Sequence, residues 1–261
     1  MAYNTIIVMQ KKVISAAVLL LCLSFILPVK KQIKVWLIGD STMCIYEPSR
    51  APLTGWGMPF ASFFNSSVTI DNRAKGGRST RTFISENRWQ TVSDSMQPGD
   101  YVLIQFGHND EAKETKYKDR YTSPEDYQKN LIRFVTETKN KQANPVLITP
   151  VSRRYFDTIG HIKETHKIYS AIVRQVAKEQ QVPLIDLDEL SRKLLQQLGA
   201  EHSKLLFNHL QSGEHPNYPN GNNDDTHFNE FGARQMAQLV LSEIKAQHLE
   251  LADRIIKPKV K

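Results

Sequence analysis

The sequence predicts an α/β fold, a parallel sheet covered by helices on both faces, on two observations. Short, largely apolar runs recur along the chain at Val35 to Ile38, Val68 to Asp71, Tyr101 to Phe106, Val146 to Thr149 and Leu184 to Asp186. Each is short and largely apolar, as expected of a strand covered on both faces. Between and after them lie helical patterns, and strand, helix, strand repetition implies right-handed crossovers and parallel pairing. Active sites in such sheets collect beyond the carboxyl ends of the strands.

The elements follow in order. Ser123-Pro124-Glu125-Asp126 places a capping serine, a proline at the first helical position and an acidic first turn at the start of a helix that runs to about Lys141. Ile162 to Gln180 carries a second helical pattern, and Asn229 to His248 a third. The Pro-, Asn- and Gly-rich stretch Gly213 to Asn223 reads as a loop shaping the rim of a cleft.

Composition sets the outer limits. A chain of 261 residues with 40% hydrophobic and 23% charged residues suits one globular domain with a full core, and excludes disorder or a fibrous repeat. The net charge is +7, but Lys11, Lys12 and Lys30 fall in the first thirty residues, which contain no acid; the remainder holds 31 basic against 27 acidic residues, or +4. No basic stripe with interleaved aromatics is present, so nucleic acid is not an expected partner. Lys257 to Lys261 reads as a solvated tail.

Lys11 and Lys12 precede the nearly uncharged apolar stretch Val13 to Val29, and Lys30 and Lys31 follow it. A charged region before an apolar one is the pattern of an export signal. Residues 1–30 are therefore expected to be a signal peptide or an N-terminal membrane anchor, and residues 31–261 the domain, in an exported protein. Cys22 is not expected to carry lipid, because Leu21 before it is large. Cys44 is then the one cysteine left, reads as a small buried apolar residue, and leaves the domain to rely on its core rather than on disulfides.

The candidate site residues sit where the strands end. Gly39-Asp40-Ser41-Thr42 follows the first apolar run, Gly76-Gly77 the second, and Gly107-His108-Asn109-Asp110 the third; Asp224-Asp225-Thr226-His227 lies near the end of the chain. A serine hydroxyl needs a base to take its proton as it attacks, and histidine, with an ordinary pKa of about 6.5, does this well near neutrality. A carboxylate fixes the imidazole's tautomer and stabilises its protonated form. Asp224 and His227, three residues apart, would share a face if they lay in one helical turn; Asp225 is a one-residue alternative for the acid. The tetrahedral intermediate needs preorganised donors, for which the Ser41 and Gly77 backbone N–H groups and the Asn109 side-chain amide are candidates. His108 is expected to support its loop rather than react. A metal site built from Asp224, Asp225, His227 and His215 is the chemical rival, but no His-Glu-x-x-His or paired-cysteine pattern accompanies them, so neither metal nor cofactor is expected. Trp56 is a candidate for stacking on a sugar ring, against the alternative of a core aromatic. Arg153 and Arg154 could meet an acidic polysaccharide or be a solvated pair.

Taken in order, Gly39-Asp40-Ser41, Gly77 within Asn72-Arg73-Ala74-Lys75-Gly76-Gly77-Arg78-Ser79, Gly107-His108-Asn109-Asp110 and Asp224-x-x-His227 resemble the four motif blocks of the SGNH (GDSL-type) hydrolases, over roughly residues 33 to 250. The resemblance extends to the rhamnogalacturonan acetylesterase branch through Gly-Asp-Ser-Thr, Gly-Gly-Arg-Ser and the ending Asp224 to Phe228. It implies a flavodoxin-like three-layer α/β/α sandwich, with Ser41 as nucleophile, Ser41, Gly77 and Asn109 as the oxyanion hole, Asp224 as acid and His227 as base. The implied activity is O-deacetylation of a pectic polysaccharide or oligosaccharide, without a cofactor. Alternatives are an esterase for acetylated xylan or a lipid, or a glycan-binding protein that keeps the fold without turnover.

Overall fold

The computed structural model describes residues 31–257. The expected signal or anchor over residues 1–30 and the end of the lysine-rich tail lie outside the described residues. Five strands pair in parallel in the order β2-β1-β3-β4-β5: β1 is Ile33–Gly39, β2 Val68–Asn72, β3 Tyr101–Gln105, β4 Asn144–Ile148 and β5 Leu184–Ile185. Register is set by pairs such as Val35 with Ile70 on one side and Tyr101 on the other.

Because side chains alternate across a strand, β1, β3, β4 and β5 each feed two cores, while the edge strand β2 feeds the first alone. On β1, Val35 and Leu37 enter one cluster while Trp36 and Ile38 enter the other, and β3 divides Leu103 from Val102 and Ile104 in the same way. The first cluster is closed by α7 (Glu230–Ala246) through Ala233, Met236, Ala237, Val240 and Ile244, with Trp56 and Phe60 beside it. The second is closed by α2 (Thr80–Ser85), α3 (Arg88–Ser95), α4 (Pro124–Asn140) and α5 (Lys167–Gln180) through Phe83, Trp89, Phe134 and Val173. Helices on both faces of one parallel sheet make the expected three-layer α/β/α sandwich. A short helix, α1 (Gly57–Phe60), and α6 (Leu187–His202) complete the set.

Several boundaries differ from the sequence reading. Asp186 is not a strand residue; its carboxylate accepts from Glu189 N–H and caps α6, which was not anticipated. The helix expected from Ile162 begins at Lys167, since Arg153 to Thr165 forms a loop with an isolated bridge between Phe156 and Ile162. The expected loop from Gly213 holds to Gly221, where it forms the tip of an antiparallel ribbon outside the main sheet; the ribbon's strands, β6 at Phe207–Leu210 and β7 at Asn222–Phe228, were not expected. Among the described residues no helix is long and apolar enough to cross a membrane.

Candidate active site

In the strand order 2-1-3-4-5 the chain reverses direction across the sheet between β1 and β3, which opens a crevice at their carboxyl ends. Ser41 follows β1, Gly76 and Gly77 follow β2, and Asn109 follows β3. All four line a cleft of about 950 Å³ together with His227.

The turn that presents Ser41 is built by Asp40. Its buried carboxylate accepts from Thr42 N–H at 2.9 Å and Thr42 Oγ1 at 2.8 Å, and Gln105 Nε2 braces Thr42 Oγ1 at 2.6 Å. Burial pushes the Asp40 carboxyl up, but His108 and the Thr42 donors more than offset it, so it sits below the ordinary range. Tyr46 Oη donates to the Ser41 carbonyl at 3.0 Å and fixes the turn from the other side. Gly77 has φ +78°, a left-handed conformation that favours glycine. Gly107 answers to a different constraint as well, since a Cβ there would meet Pro150 Cγ at 2.8 Å. Among the described residues neither the Ser41 nor the Gly77 backbone N–H meets a protein acceptor, so both stay available to a ligand. Asn109 Nδ2 donates to Arg78 O at 3.0 Å, and Asn109 Oδ1 accepts from Arg120.

Asp224 and His227 do not share a helical turn. They lie on a bulge of β7: pairing runs from His209 with Asn223 directly to Phe207 with Phe228, so residues 224–227 have no opposite partners. Asp224 folds that bulge itself, its Oδ1 accepting from Thr226 N–H at 2.8 Å and His227 N–H at 2.9 Å. Its other oxygen, Oδ2, lies 2.7 Å from His227 Nδ1. A carboxylate only accepts, so Nδ1 carries the proton and Nε2 is left to accept from Ser41 Oγ, 2.9 Å away. Burial pushes Asp224 up, and the bonds from His227 and Thr226 bring it below its usual range, so it is ionised.

Asp225, the alternative acid, faces elsewhere. Its Oδ1 accepts from Arg154 Nε at 2.6 Å and lies 2.8 Å from His209 Nε2. Arg153 Nη1 donates to Thr226 Oγ1 at 2.8 Å, while Arg154 also donates to Ala200 O. The two arginines therefore brace the bulge rather than forming a solvated pair; the Arg154 side chain is only 10% exposed. His215 is engaged in the ribbon tip, where its Nδ1 accepts from Asn217 N–H. The same tip is latched to the turn after β1, with Asn217 Nδ2 donating to Pro48 O and Ala51 O and Tyr218 Oη to Arg50 O.

Trp56 is corrected from a sugar-stacking candidate to a core residue. It is 0% exposed, its indole N–H donates to Gln105 Oε1 at 2.6 Å, and its ring meets Phe60 edge-on, so no face is open to a sugar. The exposed aromatic on the cleft wall is instead Tyr155, at 47% exposure on the loop before α5. No periodic signal marks such a loop residue. Cys44 is buried against the cleft floor, and burial pushes its thiol up to about 11, which keeps it protonated and inert.

Behind the cleft lies a buried polar array. His108 Nδ1 is 3.3 Å from Asp40 Oδ2, its ring centroid is 4.2 Å from that of His166, and His166 Nδ1 is 3.0 Å from Glu111 Oε1. Burial and the neighbouring His166 push His108 down to about 4, so it is neutral near pH 7. Its partners are these groups rather than Ser41 or His227, in keeping with support of the loop. Next to it, burial pushes Asp110 up to about 7 although Thr80 donates to it twice.

A doubly wound parallel sheet with a serine, an imidazole and a carboxylate in relay at its switch point is equipped for acyl transfer. The chain belongs to the GDSL-like Lipase/Acylhydrolase family, whose pattern matches residues 37–235. It is 43% identical over 228 residues to the rhamnogalacturonan acetylesterase RhgT of Bacillus subtilis, covering 87% of this chain and 96% of that one. The probable rhamnogalacturonan acetylesterase YesY of the same organism is 36% identical over 85% of this chain and 97% of its own. Among solved structures, Bacillus subtilis YxiM superposes with a TM-score of 0.71 at 27% identity, over 85% of this chain and 58% of that one.

Proposed function

We propose that this chain is an exported serine esterase that removes O-acetyl groups from a pectic polysaccharide, acetylated rhamnogalacturonan. The observation that carries the reading is the relay of 2.9 Å from Ser41 Oγ to His227 Nε2 and 2.7 Å from His227 Nδ1 to Asp224 Oδ2, open to a cleft with two backbone donors that meet no acceptor among the described residues. The substrate follows from the named relatives, which match this chain over nearly their whole length.

In this mechanism Ser41 Oγ attacks the acetyl carbonyl carbon as its proton passes to His227 Nε2. The carbonyl oxygen becomes an oxyanion, met by the backbone N–H of Ser41, the backbone N–H of Gly77 and the Asn109 amide. Collapse breaks the bond to the sugar oxygen, which leaves with the proton from His227, and acetyl-Ser41 remains. Water, losing a proton to His227, attacks the acetyl carbon; collapse releases acetic acid and restores the serine hydroxyl. Asp224, ionised throughout, balances the imidazolium in both halves.

The test is acetate release from acetylated rhamnogalacturonan and from acetylated xylan, by the wild type and Ser41→Ala. Release from the pectic polymer is expected, falling by about 10⁴-fold or more in the variant. Ser41-dependent release from xylan alone would overturn the substrate, and undiminished release by Ser41→Ala would overturn the mechanism.

A further inference from the structure

Arg120 belongs to none of the four motif blocks. It lies in the loop between β3 and α4, which carries a short 3₁₀ turn at Thr115–Tyr117, and it lines the cleft. Its guanidinium Nη1 donates to Asn109 Oδ1 at 3.0 Å and packs over Gly77, where a Cβ would sit 3.6 Å from Nη1. Tyr117 supports it from outside, with Arg120 Cζ 4.3 Å from the ring centroid. Among the described residues no carboxylate comes within ion-pair distance of Arg120, so charge pairing does not account for its placement.

A side-chain amide has two orientations, related by a half-turn about χ2, and only one presents N–H to an oxyanion. Asn109 is held at both ends: Nδ2 donates to Arg78 O while Oδ1 accepts from Arg120. Turning the amide over would set its NH₂ against the guanidinium and its oxygen against the Arg78 carbonyl, so both contacts would become repulsive. Arg78 O alone would leave Oδ1 loose, and Arg120 supplies the second restraint, a charge-assisted one.

We infer that Arg120 is a positioning residue of the oxyanion hole, acting through Asn109 to hold its second amide N–H toward the acyl oxygen. This rests on the reading of Ser41 as nucleophile. The experiment is hydrolysis of p-nitrophenyl acetate, a small neutral ester that makes no polymer contact, by the full chain. The variants are Arg120→Met, Arg120→Lys, Asn109→Ala and the double variant Asn109→Ala/Arg120→Met. Arg120→Met is expected to lose about tenfold in kcat with KM within about twofold, since a misoriented donor forfeits part of the 10²- to 10³-fold that such a donor typically supplies. Arg120→Lys keeps a charged donor and is expected to recover most of that loss, which also separates positioning from general destabilisation. The double variant is expected to match Asn109→Ala, because Arg120 has nothing left to orient. Unchanged kcat in Arg120→Met, or losses that multiply in the double variant, would overturn the inference. So would a loss in Arg120→Met confined to KM, which would make Arg120 a substrate contact. Absence of Ser41-dependent hydrolysis in the wild type would instead remove the esterase reading on which it rests.

Discussion

The parallel sheet and the β6–β7 ribbon hold the two halves of the candidate site by different means. Ser41, Gly77 and Asn109 stand at the ends of three neighbouring strands, so ladder register and two buried cores fix their spacing. Asp224 and His227 stand on a bulge with no strand opposite, and side chains do the fixing: Asp224 from within, Arg153, Arg154 and His209 from behind. The proposed nucleophile and oxyanion donors thus take their spacing from global packing, with polar contacts of Asp40, Tyr46 and Arg120 setting their orientation. The acid and base depend on a few polar contacts, and damage to the two halves should differ in kind.

The largest expected effect tests the ribbon's inner contact. In Asp224→Asn the side-chain oxygen still accepts from Thr226 and His227, so the bulge keeps its shape, but the tautomer in which Nε2 accepts from Ser41 is no longer enforced. A fall in kcat of about 10⁴-fold with an unchanged melting temperature is expected; a fall below tenfold would mean the carboxylate is not orienting the ring. Next comes a sheet variant. Leu103→Ala, fully buried, should cost about 2–5 kcal/mol in denaturant unfolding while kcat per folded molecule stays within about twofold. If kcat fell with stability there, the proposed division between packing and polar bracing would fail.

The third prediction concerns pH. His108 sits near 4 when folded against about 6.5 unfolded, so between pH 6.5 and 4 the unfolded chain binds a proton that the folded chain refuses, and stability falls by about 3 kcal/mol on acidification. Asp110 has the opposite sign. At about 7 when folded against 3.8 unfolded, it binds a proton first in the folded chain, and stability rises as pH drops through the same window. The two offset one another in the wild type. Asp110→Asn, which retains an acceptor for Thr80, should expose the His108 loss, seen as a melting temperature that drops steeply from pH 6.5 to 4 relative to wild type; parallel profiles would show that the pair does not offset. The smallest effect is Arg154→Ala, expected to lower kcat about tenfold with about 1 kcal/mol of stability, since Asp225 is partly exposed and keeps His209. Loss of stability without loss of rate would make Arg154 a fold residue only.

What was legible in the sequence follows the same division. The strands that carry Ser41 and Asn109 announce themselves because burial on both faces leaves nearly unbroken apolar runs, whereas β2, before Gly77, is an edge strand with only Val68 and Ile70 packed on a core. The ribbon does not: Asn222 to His227 is polar throughout, and its geometry comes from Asp224 bonding its own backbone, which periodicity does not register. Spacing nonetheless gave Asp224 and His227 as partners, with the wrong local structure, because a three-residue separation suits an Asx-type turn as well as a helical one. Helix α6 was within reach, since Asp186 followed by Glu189 is a capping signal. Arg120, Tyr155 and Tyr46 were not, because they act through tertiary contacts of loops. Trp56 was left between sugar stacking and the core, and burial decides for the core.

The latch between the ribbon tip and the Pro48 to Ala51 turn has an evolutionary consequence. The tip, from Gly213 to Gly221, touches the rim of the cleft and none of the reacting groups, while the bulge bearing Asp224 and His227 is stapled by its own hydrogen bonds a few residues away. Insertions, deletions or new side chains at the tip can therefore resculpt the entrance while leaving the proton relay undisturbed.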